Sequence, residues 1–452
     1  MRRCLLLLFL SACLLTPSFG QSRIAIEHVT LIDGTDNPPR EKMTVVVKGT
    51  SIVAITSDRK RQSPGTKLID GTGKFLIPGL WNNDLHGPAY AEAKTPLASL
   101  VSYGVTTVRD MGAPLDDIVR LRAATASGAL LGPRIFIAGP LMEGPVPIQM
   151  ALIVDLFTEQ QARDEVKLLK QRNVDYVEVD TTLTPELYRA IADEAKHQKL
   201  RLVGHIPAEI SATSIVQAGQ VNVEHLGGRF FNVLIACSSD ETYFNQQIKQ
   251  TYNDLLIALK EKRPINEPQF KAEFDDRLLS TFDQAKAQKL FRLYASHGIA
   301  QTPTLHVLST LWESNKDGNK LTKGDLESGK KVFAKDLQIV GEMKKAGVPI
   351  LAGTDGPYPG GGEALHHELE LLVQAGLTPL QAIQSATRDA ARFMKVSRTV
   401  GTIERGKTAD LILLDANPLD DISNTRRIHA VFLRGQLFSV DELLAMRGQS
   451  HP

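Results

Sequence analysis

The chain has 452 residues, and its 52 Lys and Arg against 51 Asp and Glu leave a formal charge of +1. No excess of either sign is present to recruit nucleic acid or an anionic membrane surface, so neither is expected as a partner. With 42% apolar and 23% charged residues it has a globular composition, and its length suits one large unit plus a small accessory one.

The first twenty residues read as an export signal rather than as part of the fold. Arg2 and Arg3 precede an unbroken apolar run, Leu5 to Leu10, and Ser18-Phe19-Gly20 places small residues where a signal peptidase reads, with Gln21 as the new start. The run is far short of the ~20 residues that span a bilayer, so no membrane span is expected. The expectation is a periplasmic or secreted protein; a lipoprotein box at Leu10-Ser11-Ala12-Cys13 is the less favoured alternative. Cleavage after Gly20 removes Cys4 and Cys13 and leaves Cys237 alone, which excludes an intrachain disulfide.

From Arg23 to about Leu68 the runs IAIEHVTLID and TVVVKGTSIVAI, broken by Asp33-Gly34 and Asn37-Pro38-Pro39, predict short antiparallel strands. The same character returns in ADLILLDAN and HAVFLRGQLF. Residues 21–75 and 397–445 are therefore expected to form one small β-sandwich domain from both chain ends. Between them KFLIPGL, GVTTVRD, PRIFIAG, VDYVEVD, LRLVGHI, QVNVEHL, GIAQTPTL and VPILAGTD are eight β-rich runs separated by helical stretches. That pattern predicts an α/β fold, a (β/α)8 TIM-like barrel over 76–396. One connecting helix is explicit: Thr184 caps it, Pro185 takes its first position, and Leu187, Ile191 and Ala195 share a face. The charged stretch at about 238–288 carries no strand signal and is expected as a helical insertion between the sixth and seventh strands.

In such a barrel the site lies at the C-terminal ends of the strands. Those ends carry Asp84 and His86, Asp110, Glu178, His205, His225, His306 and Asp355 in chain order. Imidazoles and carboxylates converging on one mouth suit a divalent transition metal.

LIPGLWNNDLH, TTVRDMG, GPRIFIAGP, GHIPAEIS, VEHLGG, TPTL, AGTDG and HHELELLVQAGLTPLQAIQSATRDAARFM resemble the amidohydrolase superfamily. They are most similar to its imidazolonepropionase-like and Xaa-Pro or Xaa-Arg dipeptidase-like branch, and GTIERGKTADLILLD is similar to that family's return to the sheet domain. The resemblance implies a His-x-His pair after the first strand holding one metal, His205 and His225 holding a second, a carboxylated lysine bridging the two, and Asp355 binding the first metal and acting as base. It implies a metal-activated water that attacks a carbonyl, with the carboxylate carrying the proton to the leaving nitrogen.

Two positions depart from that pattern. Asp84 stands where the first histidine would be, and Glu178 where the lysine would be. Both can still bind metal, which argues against decay. The carboxylate of Glu178, however, lies three bonds nearer the backbone than a lysine carbamate, roughly 3–4 Å. It cannot bridge two ions in their usual places. The site of His205, His225 and Glu178 is expected to be sound, whereas Asp84, His86 and Asp355 suit a harder ion or none. One ion and two ions remain alternatives, with zinc first and manganese or cobalt behind it.

Among the remaining residues, Tyr90 and His306 are expected as substrate contacts from loops at the mouth. His197 and His297 are expected as helix-end caps, one of His366 and His367 is weighed as facing the mouth, and Cys237 is expected as a buried thiol. The activity expected is hydrolysis of a carbon–nitrogen bond in a small molecule: an amide, lactam or blocked dipeptide. The metal ligands would be Asp84, His86, Glu178, His205, His225 and Asp355, with Asp355 as base. The alternative is a barrel without catalysis that serves as a periplasmic binding or scaffold protein. A homo-oligomer is left open.

Overall fold

The computed structural model describes residues 23–58, 62–86, 97–145, 152–226, 232–261, 263, 272–310, 322–357 and 361–448. The expected signal segment and Tyr90 lie outside them.

The alternating apolar runs at both chain ends meet in one eight-stranded sheet. Arg23–Leu31 lies inside it, antiparallel to Arg40–Lys48, which in turn pairs with Ser51–Ser57. On its other side come Phe75–Pro78, Leu411–Leu414, Ile428–Leu433 and Gln436–Ser439. Ile24, Ile26, Val45, Val47, Leu76, Leu411, Leu413 and Phe432 form a core of their own, and the strand set is consistent with a β-sandwich. Leu411–Leu414 reads as an unbroken apolar run because both its faces are buried. Leu411 and Leu413 enter this core, while Ile412 and Leu414 enter the large core of the central region.

The run KFLIPGL conceals a change of partner. Phe75–Pro78 is antiparallel to Leu411–Leu414 in the sheet just described, whereas Leu80–His86 pairs parallel with Val105–Asp110. Apolar content alone cannot register that switch, because both segments are buried.

The central region is mixed α/β with parallel strands. Leu80–His86, Val105–Asp110 and Arg134–Ile137 are successive neighbours, and Asp175 N donates to Ile137 O at 2.9 Å beside the next strand, Tyr176–Val179. Tyr176–Val179 pairs with Arg201–Gly204, and a parallel bridge of Leu202 with Gln220 leads to Asn222–Glu224. Asn222–Glu224 pairs with Ala300–Thr302, a bridge joins Gln301 to Ile350, and Asn83 N donates to Ala352 O at 2.9 Å.

Helices fill the connections as their sequences dictate. Pro185–His197 has the Thr184 side chain accepting from Leu187 N, Pro in its first turn, and Leu187, Ile191 and Ala195 buried. The charged stretch before the seventh strand is helical over Glu241–Lys260 and Ala272–Ser280. Among the described residues no helix is long and apolar enough to cross a membrane.

Candidate active site

Asp84, His86 and Asp355 each offer a ligand atom, and these atoms lie within 4.8 Å of one another. His86 Nε2 is 3.2 Å from Asp355 Oδ1 and 3.7 Å from Asp84 Oδ1. The group is closed below and open above: the Asp84 side chain is 1% exposed, that of His86 21% and that of Asp355 26%. Among the described residues neither carboxylate oxygen of Asp84 has a hydrogen-bond partner, nor does His86 Nδ1 or Glu178 Oε2, and all four atoms are buried. Leaving an ionised carboxylate so is costly unless a cation completes it. The donors present therefore fit a divalent cation.

The local backbone explains the convergence. Thr354 N and Asp355 N both donate to Asp84 O, at 3.1 and 3.0 Å, and Asn82 Nδ2 donates to Thr354 Oγ1 at 2.8 Å. At Gly353 a β-carbon would fall 2.6 Å from both Asp84 Cβ and Thr302 Cγ2, so only glycine admits this approach. His225, Thr304 and Asp355 all adopt the left-handed backbone, at φ 61°, 48° and 47°. For residues other than glycine each of these carries strain of order 1 kcal/mol, and such strain clusters at functional sites.

His205 and His225 stand beside this group with ring centroids 4.9 Å apart in an edge-on arrangement. His225 Nε2 is 3.6 Å from Asp355 Oδ2, and its Nδ1 lies 2.5 Å from Thr304 Oγ1. His205 Nδ1 lies 2.8 Å from Asp180 Oδ1 and 2.7 Å from Thr181 Oγ1. Among the described residues the group that could hold a metal ion is thus Asp84, His86 and Asp355, the trio that sequence reasoning ranked behind His205, His225 and Glu178. The close approach of 350–355 to the first strand accounts for it, and no spacing in the chain signals that contact.

Charge follows from these contacts. Burial raises Asp84 well above the carboxylate range, reinforced by Asp355 and Glu224. Burial likewise raises Glu178, with Asp84 and Glu224 adding to it against the opposing pull of His86. For Asp355 burial acts upward too, but His225 and the hydrogen bond and charge of His86 outweigh it and hold the acid below its ordinary value. Burial lowers His225 to about 4. For His205 the desolvation that would lower it is overcome by Asp180, and its value is raised.

Beneath the site lies a pair that sequence reasoning missed. Arg109, fully buried, donates through Nη2 to Glu224 Oε1 at 2.6 Å and through Nε to Asn83 O at 2.6 Å. It therefore ties the strand of Asp84 to the strand of His225. The only available signal was a charged residue inside the apolar run GVTTVRD.

The other expectations divide. His306, on the short helix Leu305–Thr310, places Nδ1 2.9 Å from His367 Nδ1. His366 is buried with both ring nitrogens engaged, by Thr425 Oγ1 at 2.9 Å and Tyr103 O at 3.0 Å, and so serves the packing. His297 Nδ1 meets Leu293 O at 3.0 Å in the last turn of its helix. Cys237 is buried, and burial pushes its thiol up to about 12.

This fold and constellation define an amidohydrolase-type protein. The amidohydrolase family model matches residues 75–438, and the chain belongs to that family, as its motifs led one to expect. It is 24% identical to an imidazolonepropionase of Shouchella clausii over 413 residues, 86% of each chain. It is 33% identical to an ochratoxinase of Aspergillus niger over 156 residues, a stretch that spans 33% of this chain and 32% of that enzyme. The crystal structure of a putative prolidase from Bifidobacterium longum superimposes with a TM-score of 0.69 at 25% identity, covering 96% of this chain and all of that one.

Proposed function

We propose that the chain is a hydrolase of carbon–nitrogen bonds in small molecules, an amide, lactam or blocked dipeptide, working with one or two divalent ions at the mouth of a closed (β/α)8 barrel. The observation that carries this reading is the cluster of Asp84, His86 and Asp355, in which the buried carboxylate of Asp84 has no hydrogen-bond partner among the described residues. Closure of the barrel is supported by the run of strand pairings from Leu80–His86 round to the bond between Asn83 N and Ala352 O. The barrel would occupy 76–396 with the insertion at 238–288, and the sandwich 21–75 with 397–445. The relatives named above are an imidazolonepropionase, an ochratoxinase and a putative prolidase, and the spread of those names supports the class without choosing within it.

Asp84, His86 and Asp355 would hold one ion, and His205, His225 and Glu178 surround it or hold a second; zinc is the first choice, manganese or cobalt the next. A bound divalent ion polarises a carbonyl and makes water acidic near neutral pH. Asp355, kept ionised by its histidine neighbours, takes the water proton on a carboxylate oxygen and passes it to the leaving nitrogen. His86 and His225 flank that carboxylate and fix its orientation. Asp84 closes the floor against solvent. His306 and Tyr90 are proposed as substrate contacts, and export through residues 1–20 is proposed for location. A barrel without catalysis, the competing reading, gains no support from these features.

Metal analysis of the purified protein, followed by a screen of N-acyl amino acids and dipeptides with zinc, manganese or cobalt present, tests the proposal. Bound metal and metal-dependent release of an amine are the expected results. A protein with no metal and no gain on adding any would overturn it.

A further inference from the structure

Away from the candidate site, three arginines on separate segments converge on one cavity of about 340 Å³. Arg122 comes from the helix Leu115–Ser127, Arg134 opens the strand Arg134–Ile137, and Arg434 sits in the turn between Ile428–Leu433 and Gln436–Ser439. The cavity therefore lies at the N-terminal end of a parallel strand, whereas Asp84 and His86 stand at the C-terminal end of Leu80–His86. Its walls are apolar, made by Ile135, Phe136, Val396 and Val400. Phe136 stacks on Trp81 with ring centroids 5.5 Å apart, which fixes that wall.

The protein engages these guanidiniums only in part. Arg122 donates through Nη1 to Asn173 O at 2.8 Å and to Asp175 Oδ2 at 3.4 Å. Arg134 reaches Asp410 Oδ2 through Nη2 at 3.3 Å, and Arg434 reaches Gly132 O through Nη2 at 3.2 Å. Arg434 meets Asp410 through its backbone N, at 2.6 Å. Among the described residues Arg134 Nε is buried with no hydrogen-bond partner, a costly state for a charged donor. Arginine stays protonated, so three cations against the carboxylates of Asp175 and Asp410 leave one positive charge over. Burial lowers Arg434 from its ordinary value; Asp410 opposes this and Arg134 adds to it. A further negative group in the cavity would relieve both arginines.

We infer that this cavity is a second ligand site, for a small organic monocarboxylate with an apolar body. A guanidinium offers a carboxylate paired donors in a matching plane, and the apolar walls take the rest of the molecule. The single surplus charge suits a monoanion better than a phosphate. Arg434 belongs to the sheet built from both chain ends, and Arg122 and Arg134 to the central region. A ligand held by all three bridges the two regions and stabilises the fold that presents them. The inference does not depend on the metal reading.

Calorimetric titration of metal-free protein with benzoate, benzyl alcohol and inorganic phosphate tests this. Benzoate should bind saturably and raise the melting temperature, with the alcohol and phosphate weaker by about 10-fold or more. Arg434→Met should weaken benzoate about 10- to 100-fold, the loss expected for one charge-assisted contact. Ala126→Trp fills the exposed edge of the cavity without removing a charge, and should abolish binding even if Arg434→Met does not fold. Asp355→Asn, at the other end of the strands, should leave benzoate affinity unchanged. Wild-type protein without saturable benzoate binding would overturn the inference, as would undiminished affinity in Ala126→Trp. Loss of affinity in Asp355→Asn would move the binding to the candidate site and overturn it too. Phosphate bound in preference to benzoate would refute the monocarboxylate class.

Discussion

The two halves of the candidate site are built on opposite terms. On the histidine side Nδ1 of each ring meets a side-chain oxygen, that of Asp180 for His205 and that of Thr304 for His225. On the carboxylate side Asp84 is buried with both oxygens unbonded, 3.7 Å from a histidine whose own Nδ1 is unbonded. The histidine half has its ring contacts supplied by side chains of the protein; in the other, backbone contacts hold Asp84 beside the Asp355 segment while the Asp84 carboxylate stays without a hydrogen-bond partner among the described residues. The lesson is that a fold can impose proximity on groups that oppose each other, provided a ligand later supplies what is missing.

The largest expected effect breaks the carboxylate half. Asp355→Asn keeps the shape but not the base, and turnover of any substrate found by screening should fall about 10²- to 10⁴-fold. Unchanged turnover would remove Asp355 from the chemistry. Next comes the brace that ties the halves together. Arg109→Met strands Glu224 in the core and should lower stability to urea by about 3–5 kcal/mol, while adding Glu224→Leu should recover much of it.

A smaller effect separates histidines buried for structure from those buried for the site. Burial lowers His366 to about 3, against an ordinary value near 6.5. As pH falls below about 6.5 the unfolded chain takes up this proton while the folded one does not, so stability is full above that point and declines toward pH 3. The decline amounts to a few kcal/mol, and His366→Asn should flatten the urea midpoint against pH in that window; an unaltered slope would contradict the assignment. Smallest is Asp84→Asn. Because the folded state raises this acid, its ionised form opposes folding at neutral pH. The metal-free variant should be more stable to urea than the wild type, while losing the rise in melting temperature that added zinc is expected to give under the proposed function. A metal-free variant less stable than wild type would mean that Asp84 is not strained.

Much of this was legible in the sequence. Alternation at both ends predicted the shared sheet, and the Thr184-Pro185 start predicted its helix because capping is a local matter. The polar residues at strand ends were found because their types are few and their places regular. What escaped has one physical character. Arg109 with Glu224 is a partnership across 115 residues and His225 with Thr304 one across 79, and neither leaves a periodic mark. Asp180 was visible in VDYVEVD but had no role until His205 was set beside it. The split of KFLIPGL was hidden because both of its partners demand apolar residues.

Gly353 bears on more than packing. The gap between Asp84 and the segment that carries Asp355 is as narrow as it is because one carbon atom is missing there. The spacing of the two carboxylates, and with it the radius of the ion they would clasp under the proposed function, is thereby set by a residue that would touch no ion. Alanine would act as a wedge of fixed thickness, opening the clasp in one step with no finer setting. A lineage under selection for a larger ion would therefore meet a jump at this position, and would have to tune selectivity from the histidine side instead.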